Sequence, residues 1–259
     1  MTKDPFRLDG KAAIVTGASM GLGQAISLAM MRAGAKVLGV DYVETEETRR
    51  LADAEGLTFA GVAADLMTTG PIEGIIDAAV ERFGRLDILM NNAGVIRRCD
   101  AIDFSQKDWD DVMNLNLKTV FFFSQAAARQ FRRQDAADGT RRGGKILSIA
   151  SMLSYQGGIR IPSYTAAKSG VKGITMAMCN EWAKDNIQVN AIAPGYMATA
   201  ATQALRDDRS RSEAILERIP AGRWGKPEDV AASAVFLASS AADYINGFTL
   251  AVDGGWLAR

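Results

Sequence analysis

The chain reads as an α/β protein built on a parallel sheet covered by helices on both faces. Three observations carry this. Short apolar runs alternate with segments of helical period along the whole length. A glycine-rich loop, Thr16 to Gly23, lies between the first strand and the first helix. The 259 residues are 48% hydrophobic, enough for a sizeable core and for one large α/β unit spanning 1–259.

The elements follow in order. Ala12–Val15 reads as a buried strand, and Leu22, Ile26, Ala29 and Ala33 recur at helical spacing until Gly34. Val37–Val40 is the second strand, followed by an acidic helix from Glu44 to Ala54. Leu57–Ala63 is the third strand; Ile72–Phe83 is a helix stopped by Gly84. Leu86–Met90 is the fourth strand. One helix is expected from Ser105 to about Arg132, then an exposed polar loop from Gln134 to Gly144. Lys145–Ala150 is a strand, Pro162–Lys184 a helix and Ile187–Ala193 a strand. Pro227, with Glu228 and Asp229 behind it, opens the next helix, and Phe248–Val252 is the final strand. The basic cluster Arg132, Arg133, Arg141 and Arg142 reads as a solvated face.

Composition excludes several functions. Thirty Lys and Arg balance thirty Asp and Glu, which speaks against a nucleic-acid binder and against a polybasic membrane anchor. No apolar run approaches the ~20 residues of a membrane helix. The stretch Met1–Arg7 is charged and reads as no signal peptide. Two isolated cysteines, Cys99 and Cys179, make no disulfide framework, so a reduced, cytoplasmic setting is expected. There is no histidine, which removes Ser-His-Asp and Cys-His catalysis and most zinc sites; no metal is expected.

The loop Gly17, Ser19, Met20, Gly21, Leu22, Gly23 sits where a helix N-terminus attracts a pyrophosphate. Gly17 permits the tight turn; Gly21 and Gly23 permit close approach. Asp41 follows the second strand, where a carboxylate accepts both ribose hydroxyls and repels a 2′-phosphate, so NAD(H) is expected over NADP(H). Its alternative role is a cap for the next helix. Asp65 with Leu66 ends the third strand, and Asn92, Ala93 and Gly94 end the fourth, both at the carboxyl edge where ligands gather. Asn92 is either a ligand contact or a brace for neighbouring backbone.

Ser151, Tyr164 and Lys168 carry the chemistry. Tyr164 and Lys168 are one helical turn apart on one face. A free phenol titrates near ~10; an adjacent ammonium favours the phenolate and is expected to lower that value. Tyr164 then exchanges a proton with an alcohol or carbonyl, while Ser151 hydrogen-bonds the reacting oxygen. Lys168 also reaches for the nicotinamide ribose. Asn116 lies on the inward stripe of its helix, where a buried amide either bends the helix and holds a relay water or only satisfies a kink.

Thr16-Gly-x3-Gly-x-Gly23, Asn91-Asn-Ala-Gly94, Ser151…Tyr164-x3-Lys168 and Pro194-Gly195 together resemble the short-chain dehydrogenase/reductase superfamily over essentially the full chain. The resemblance implies a doubly wound Rossmann sheet of seven strands, a homotetramer, and Asn116, Ser151, Tyr164 and Lys168 as the catalytic set. It implies that Pro194, Gly195 and Met197 line the cofactor and that Thr199 holds the nicotinamide carboxamide. Longer strings, among them Asp108–Asn116, Gln156–Arg160 and Ile219–Gly225, are similar to members acting on deoxy-sugar acids in uronate breakdown. Tyr155 departs from that pattern and brings an extra hydroxyl near the expected site.

A sugar acid needs a cation. Arg97, Arg98, Arg160 and Arg223 are candidates, and Arg160 with Arg97 or Arg98 is the expected pair. Residues 197–218 are expected to form a helical lid over the substrate, and Trp256 to pack at a subunit interface. The rival readings are a 3-oxoacyl thioester reductase or a polyol dehydrogenase, with a non-catalytic NAD(H)-binding regulator behind them. The lack of a basic residue at Tyr42 speaks against the first.

Overall fold

The computed structural model describes residues 4–259. Seven parallel strands form one sheet: β1 (Ala12–Thr16), β2 (Lys36–Asp41), β3 (Phe59–Ala63), β4 (Ile88–Asn91), β5 (Gly144–Ile149), β6 (Ile187–Pro194) and β7 (Thr249–Val252). Their order is β3-β2-β1-β4-β5-β6-β7. The direction of winding reverses between β1 and β4. The connections leaving the carboxyl ends of these two paired strands therefore diverge to opposite faces of the sheet and open the crevice where parallel sheets hold ligands.

The helices are α1 (Gly21–Arg32), α2 (Glu46–Ala54), α3 (Ile72–Phe83), α4 (Gln106–Met113), α5 (Thr119–Asp138), α6 (Pro162–Trp182), α7 (Gln203–Asp207), α8 (Arg209–Arg218) and α9 (Pro227–Ala238). Successive strand residues serve opposite faces. Ala13 and Val15 pack with Ile26 and Met30 of α1 and Ala234 and Leu237 of α9. Ile14, between them, packs with Ile76 of α3 and Phe123 and Phe131 of α5 on the other face. Burial on both faces explains why β1 reads as an unbroken apolar or small-residue run, and why β5 and β6 are largely so, interrupted by Lys145, Gln188 and Asn190.

Two expectations needed correction. The helix from Ser105 is interrupted: α4 and α5 are joined by a π turn, Asn114–Lys118. The loop from Gln134 is also shorter than its polarity implied. Helix α5 runs on to Asp138 and stops at Gly139, whose φ is 62°. Gln134 belongs to the helix and grips the β4 approach through Leu86 N–H (2.8 Å) and Leu86 C=O (2.7 Å). The basic cluster is a solvated face, with Arg132 paired to Asp185 and Arg133 to Glu73.

Candidate active site

The glycine loop joins β1 to α1 and is held from β4. Gly17 has φ 68°, and a Cβ placed on it would lie 2.7 Å from Asn92 Nδ2. A Cβ on Gly23 would lie 2.0 Å from Gly17 O, so neither position admits a side chain. The Asn92 amide donates to Thr16 O (2.8 Å) and Gly17 O (3.2 Å). In return the Thr16 hydroxyl oxygen accepts from Asn92 N–H and Ala93 N–H, both at 2.9 Å. Asn92 is thus the brace of the two open readings. At the start of α1, Met20 offers no capping side chain and the first turn holds no acid. The positive helix end is left for an anion, which fits the pyrophosphate of a dinucleotide.

Asp41 ends β2 and is nearly buried, 9% exposed. Its carboxylate accepts from Ser19 N–H (3.0 Å) and Tyr42 N–H (2.8 Å). It does not cap α2, whose N-cap residue is Thr45. It fixes a negative charge against the glycine loop, where the adenosine ribose would lie. Sequence reasoning missed two loop braces, Gln24 and Thr48. Gln24 donates to Ser19 O (3.2 Å) and Thr48 donates to Ala18 O (2.7 Å). Thr48 is fully buried on the same stripe of α2 as Ala52, and a polar residue on that stripe was the available signal.

Ser151 begins the turn after β5. Its hydroxyl accepts from Leu153 N–H (3.1 Å), which fixes the side chain. Ser154, three positions on, donates to the Lys168 carbonyl (2.6 Å) and ties this turn to α6. Tyr164 and Lys168 share one face of α6, and the ammonium lies 5.6 Å from the phenol ring centroid. Lys168 donates to Ile149 O at 2.6 Å. Burial pushes the Tyr164 phenol up to about 12, while a hydrogen bond from Ser151 and the positive charge of Arg98 pull it down. The expected lowering by Lys168 is therefore not the pattern of this protein. The ammonium is itself desolvated, down to about 8, and is spent on a backbone carbonyl.

Lys168→Met tests this burial. The native fold disfavours the charged lysine, so its penalty is fully present below pH 8. It fades between about 8 and the ordinary lysine value of ~10.4 as the folded state sheds its proton. The variant should lose turnover yet melt about 2–4 °C higher at pH 7, a net gain of about 1 kcal/mol trimmed by the unpartnered Ile149 carbonyl. The gain should shrink by pH 10. Calorimetry at both pH values decides, and a gain that grew with pH would contradict the assignment.

Asn116 sits in the π turn with no exposure. Its amide accepts from Val95 N–H and donates to Val95 O, both at 2.9 Å. It clamps the loop after β4, which carries Ala93, Gly94 and the arginines. Gly94 packs close to this amide, with an added Cβ 3.2 Å from Asn116 Oδ1. The Asn116 amide thus spends one donor and one acceptor on the Val95 peptide.

The arginines separate. Arg97 pairs with Asp108 (3.4 Å) and Asp111 (3.5 Å), Arg160 with Asp100 (3.0 Å) and Arg223 with Asp229 (2.7 Å). Arg160 also takes a left-handed φ of 66°. Only Arg98, among these four, makes no ion pair with the described residues, and its charge reaches Tyr164.

Asp65 is exposed and turns back to Met67 N–H (2.9 Å), while Leu66 is buried in the core. Gly195 docks on β7 through Val252 O (3.0 Å), and Pro194 closes β6. Met197 is buried, and Thr199 C=O accepts from Arg206 Nη2 (3.1 Å). The predicted lid is helical, comprising α7 and α8. Two expectations fail here. The Tyr155 hydroxyl donates to Thr249 O (2.9 Å) on β7 instead of facing the reacting groups. Trp256 is buried within its own chain, 4% exposed, because its indole finds α8 and Tyr196 to cover it.

Among known proteins, the family model described as Enoyl-(Acyl carrier protein) reductase matches residues 17–257. The chain is 59% identical to the 2-dehydro-3-deoxy-D-gluconate 5-dehydrogenase of Escherichia coli (strain K12), covering all of both chains. It is 49% identical to that of Bacillus subtilis (strain 168), covering 99% of this chain and 98% of the other. A solved gluconate 5-dehydrogenase from Burkholderia cenocepacia, in complex with NADP and tartrate, shares 38% identity at a TM-score of 0.91, covering 99% of this chain and 98% of that one.

Proposed function

Since the chain belongs to the short-chain dehydrogenase/reductase family and is an oxidoreductase, we propose that it acts on 2-dehydro-3-deoxy-D-gluconate or a close deoxy-sugar acid, with NAD(H), in the breakdown of uronates. The observation that carries this reading is the meeting of Ser151 and Tyr164 with the charge of Arg98. A proton donor and a hydrogen-bonding hydroxyl for a carbonyl oxygen lie within electrostatic reach of a cation suited to a carboxylate. The relatives named for this activity match over the whole length.

The bound nicotinamide supplies or accepts the hydride. The residues Gly17, Ser19, Met20, Gly21, Leu22, Gly23 and Asp41, with the 93–94 and 194–199 segments and Lys168, would hold it. The chain does the rest. Tyr164 gives its hydroxyl proton to the carbonyl oxygen in reduction and takes it back in oxidation. Ser151 steadies the charge on that oxygen. Asn116 holds the 95–98 loop and hence Arg98. A phenol protonated at neutral pH is ready for reduction; oxidation needs the phenolate and should speed up as pH rises.

The Asp41 carboxylate supports NAD(H), although the Burkholderia cenocepacia relative was solved with NADP. Asp41→Ala should weaken NADH binding about tenfold, the loss of a charge-assisted hydrogen bond. NADPH binding should hold or improve as the repulsion of its 2′-phosphate is relieved. Parallel titrations of both cofactors test this; equal losses would remove Asp41 from the ribose site. The function itself is tested with a panel of keto-uronates and deoxygluconates against NADH and NADPH. A cytoplasmic homotetramer completes the reading. Partly exposed Phe122 on α5 and Met176 on α6 support assembly. A 3-oxoacyl thioester reductase is the second reading; the description of the matching family model shares its acyl-thioester substrate class but names reduction of a carbon–carbon double bond.

A further inference from the structure

The chain after β7 is built to bury one ring. The Asp253 carboxylate accepts from Gly255 N–H and Leu257 N–H, both at 2.9 Å. Gly254 (φ 64°) and Gly255 (φ 90°) turn the backbone through the left-handed region that favours glycine. The reversal delivers Trp256 beneath α8. The Arg218 guanidinium lies 4.1 Å from the centre of its ring, and the Tyr196 ring meets it edge-on at 4.9 Å. Its indole N–H donates to Gln156 Oε1 (3.2 Å).

The ring is the centre of a small core apart from the sheet. Met152 and Leu153, next to Ser151, form it with Ile215 of α8, Ile219 and Trp256, and the Tyr164 ring packs against it. The fit is close. A Cβ on Gly254 would lie 3.0 Å from Ile219 Cγ2, and one on Gly255 3.0 Å from Pro220 Cγ. Arg259 donates to Glu217 O (3.0 Å) and grips α8 a second time. Three pieces, α8, the Ser151 turn and the Tyr164 ring, thus share one small cluster with this tail residue.

We propose that Trp256 is a positioning residue for the substrate pocket: it seats α8 against the Ser151 turn and the Tyr164 ring, and so sets affinity for the sugar acid and not for the nicotinamide. The proposal rests on the functional reading above. A flat, polarisable ring suits this task because it packs on apolar side chains at its edge while its face holds the Arg218 cation.

Three variants test it: Trp256→Ala, Trp256→Phe and Arg218→Met. Trp256→Ala should raise KM for the sugar acid about tenfold or more by misplacing one wall of the pocket. NADH affinity and kcat should stay within about threefold, and Phe should restore most of the loss. In the absence of substrate, trypsin should cut at Arg209 and Arg211 faster in the Ala variant than in the parent protein. Arg218→Met removes only the exposed cation over the ring, so it should fold even if Trp256→Ala does not. It should raise KM about threefold and speed the same cuts. Unchanged KM and unchanged cutting in Arg218→Met and in any Trp256 variant that folds would overturn the proposal. Equal loss of NADH and sugar-acid affinity would also overturn it, as plain destabilisation. If the parent protein reduced no keto sugar acid with either nicotinamide, the functional reading would fail, while the trypsin experiment would still decide whether Trp256 seats α8.

Discussion

Tyr164→Phe will lower kcat by about 10²–10⁴, the usual contribution of a positioned general acid. The change removes one oxygen and leaves the ring, which packs against Met152, Leu153 and Ile215. The fold and the seat of α8 should therefore survive. NADH affinity should survive too, because the glycine loop is braced by Thr16, Gln24, Thr48 and Asn92, not by Tyr164. Steady-state rates with the best sugar acid, beside an NADH fluorescence titration, separate chemistry from binding. Turnover within tenfold of the parent protein, with NADH affinity intact, would remove the phenol from the reaction.

Arg98→Ala should raise KM for the sugar acid by roughly 10- to 150-fold, the loss of about 1.5–3 kcal/mol in hydrogen bonds to a charged group. It should also move the pH profile. Arg98 pulls the Tyr164 phenol down from the value that burial imposes. Without that cation the phenolate is less favoured, so the rise of the oxidation rate with pH shifts toward higher pH. A residue with only a structural role would not move both quantities together. Arg97→Ala and Arg160→Ala serve as controls, since their guanidiniums are committed to Asp108, Asp111 and Asp100. The assignment would be overturned by a normal KM in Arg98→Ala together with a raised one in Arg160→Ala.

The contrast between Arg98 and Arg160 shows where sequence reading stops. Apolar runs placed the strands, because a strand buried on both faces is apolar at most positions; Lys145, Gln188 and Asn190 interrupt the runs of β5 and β6 without hiding them. The relation of Gly17 to Gly23 and of Tyr164 to Lys168 was legible because spacing along one loop and one helix fixes it; Ser151 joins them from the turn after β5. Which arginine is free was not legible. It depends on acids that approach from elsewhere: Asp108 and Asp111 on α4 occupy Arg97, and Asp100 occupies Arg160. Trp256 misled for a similar reason. An apolar residue near a chain end looks like an interface until the fold brings Ile215 and Tyr196 over it. Gln134–Asp138 looked like a loop because polar residues on a solvated helix carry no apolar period; the left-handed Gly139 was the true stop. The phenol's high value belongs to the same class, since burial is a property of the surroundings and not of the Tyr-x3-Lys spacing.

The π turn at Asn114–Lys118 holds one residue more than an α-helical path would need. An α-helix advances by about 100° for each residue, so this surplus resets the angular phase between the two flanking segments. Val112 before it and Val120 and Phe123 after it all reach buried positions, while Asn116 within it meets the Val95 peptide. Excision of a single residue there would leave both helices intact and rotate one against the other by roughly a quarter-turn. The segment from Asp108 to Phe123 therefore absorbs a change of length poorly, because its buried positions and the Asn116 clamp depend on one angular phase.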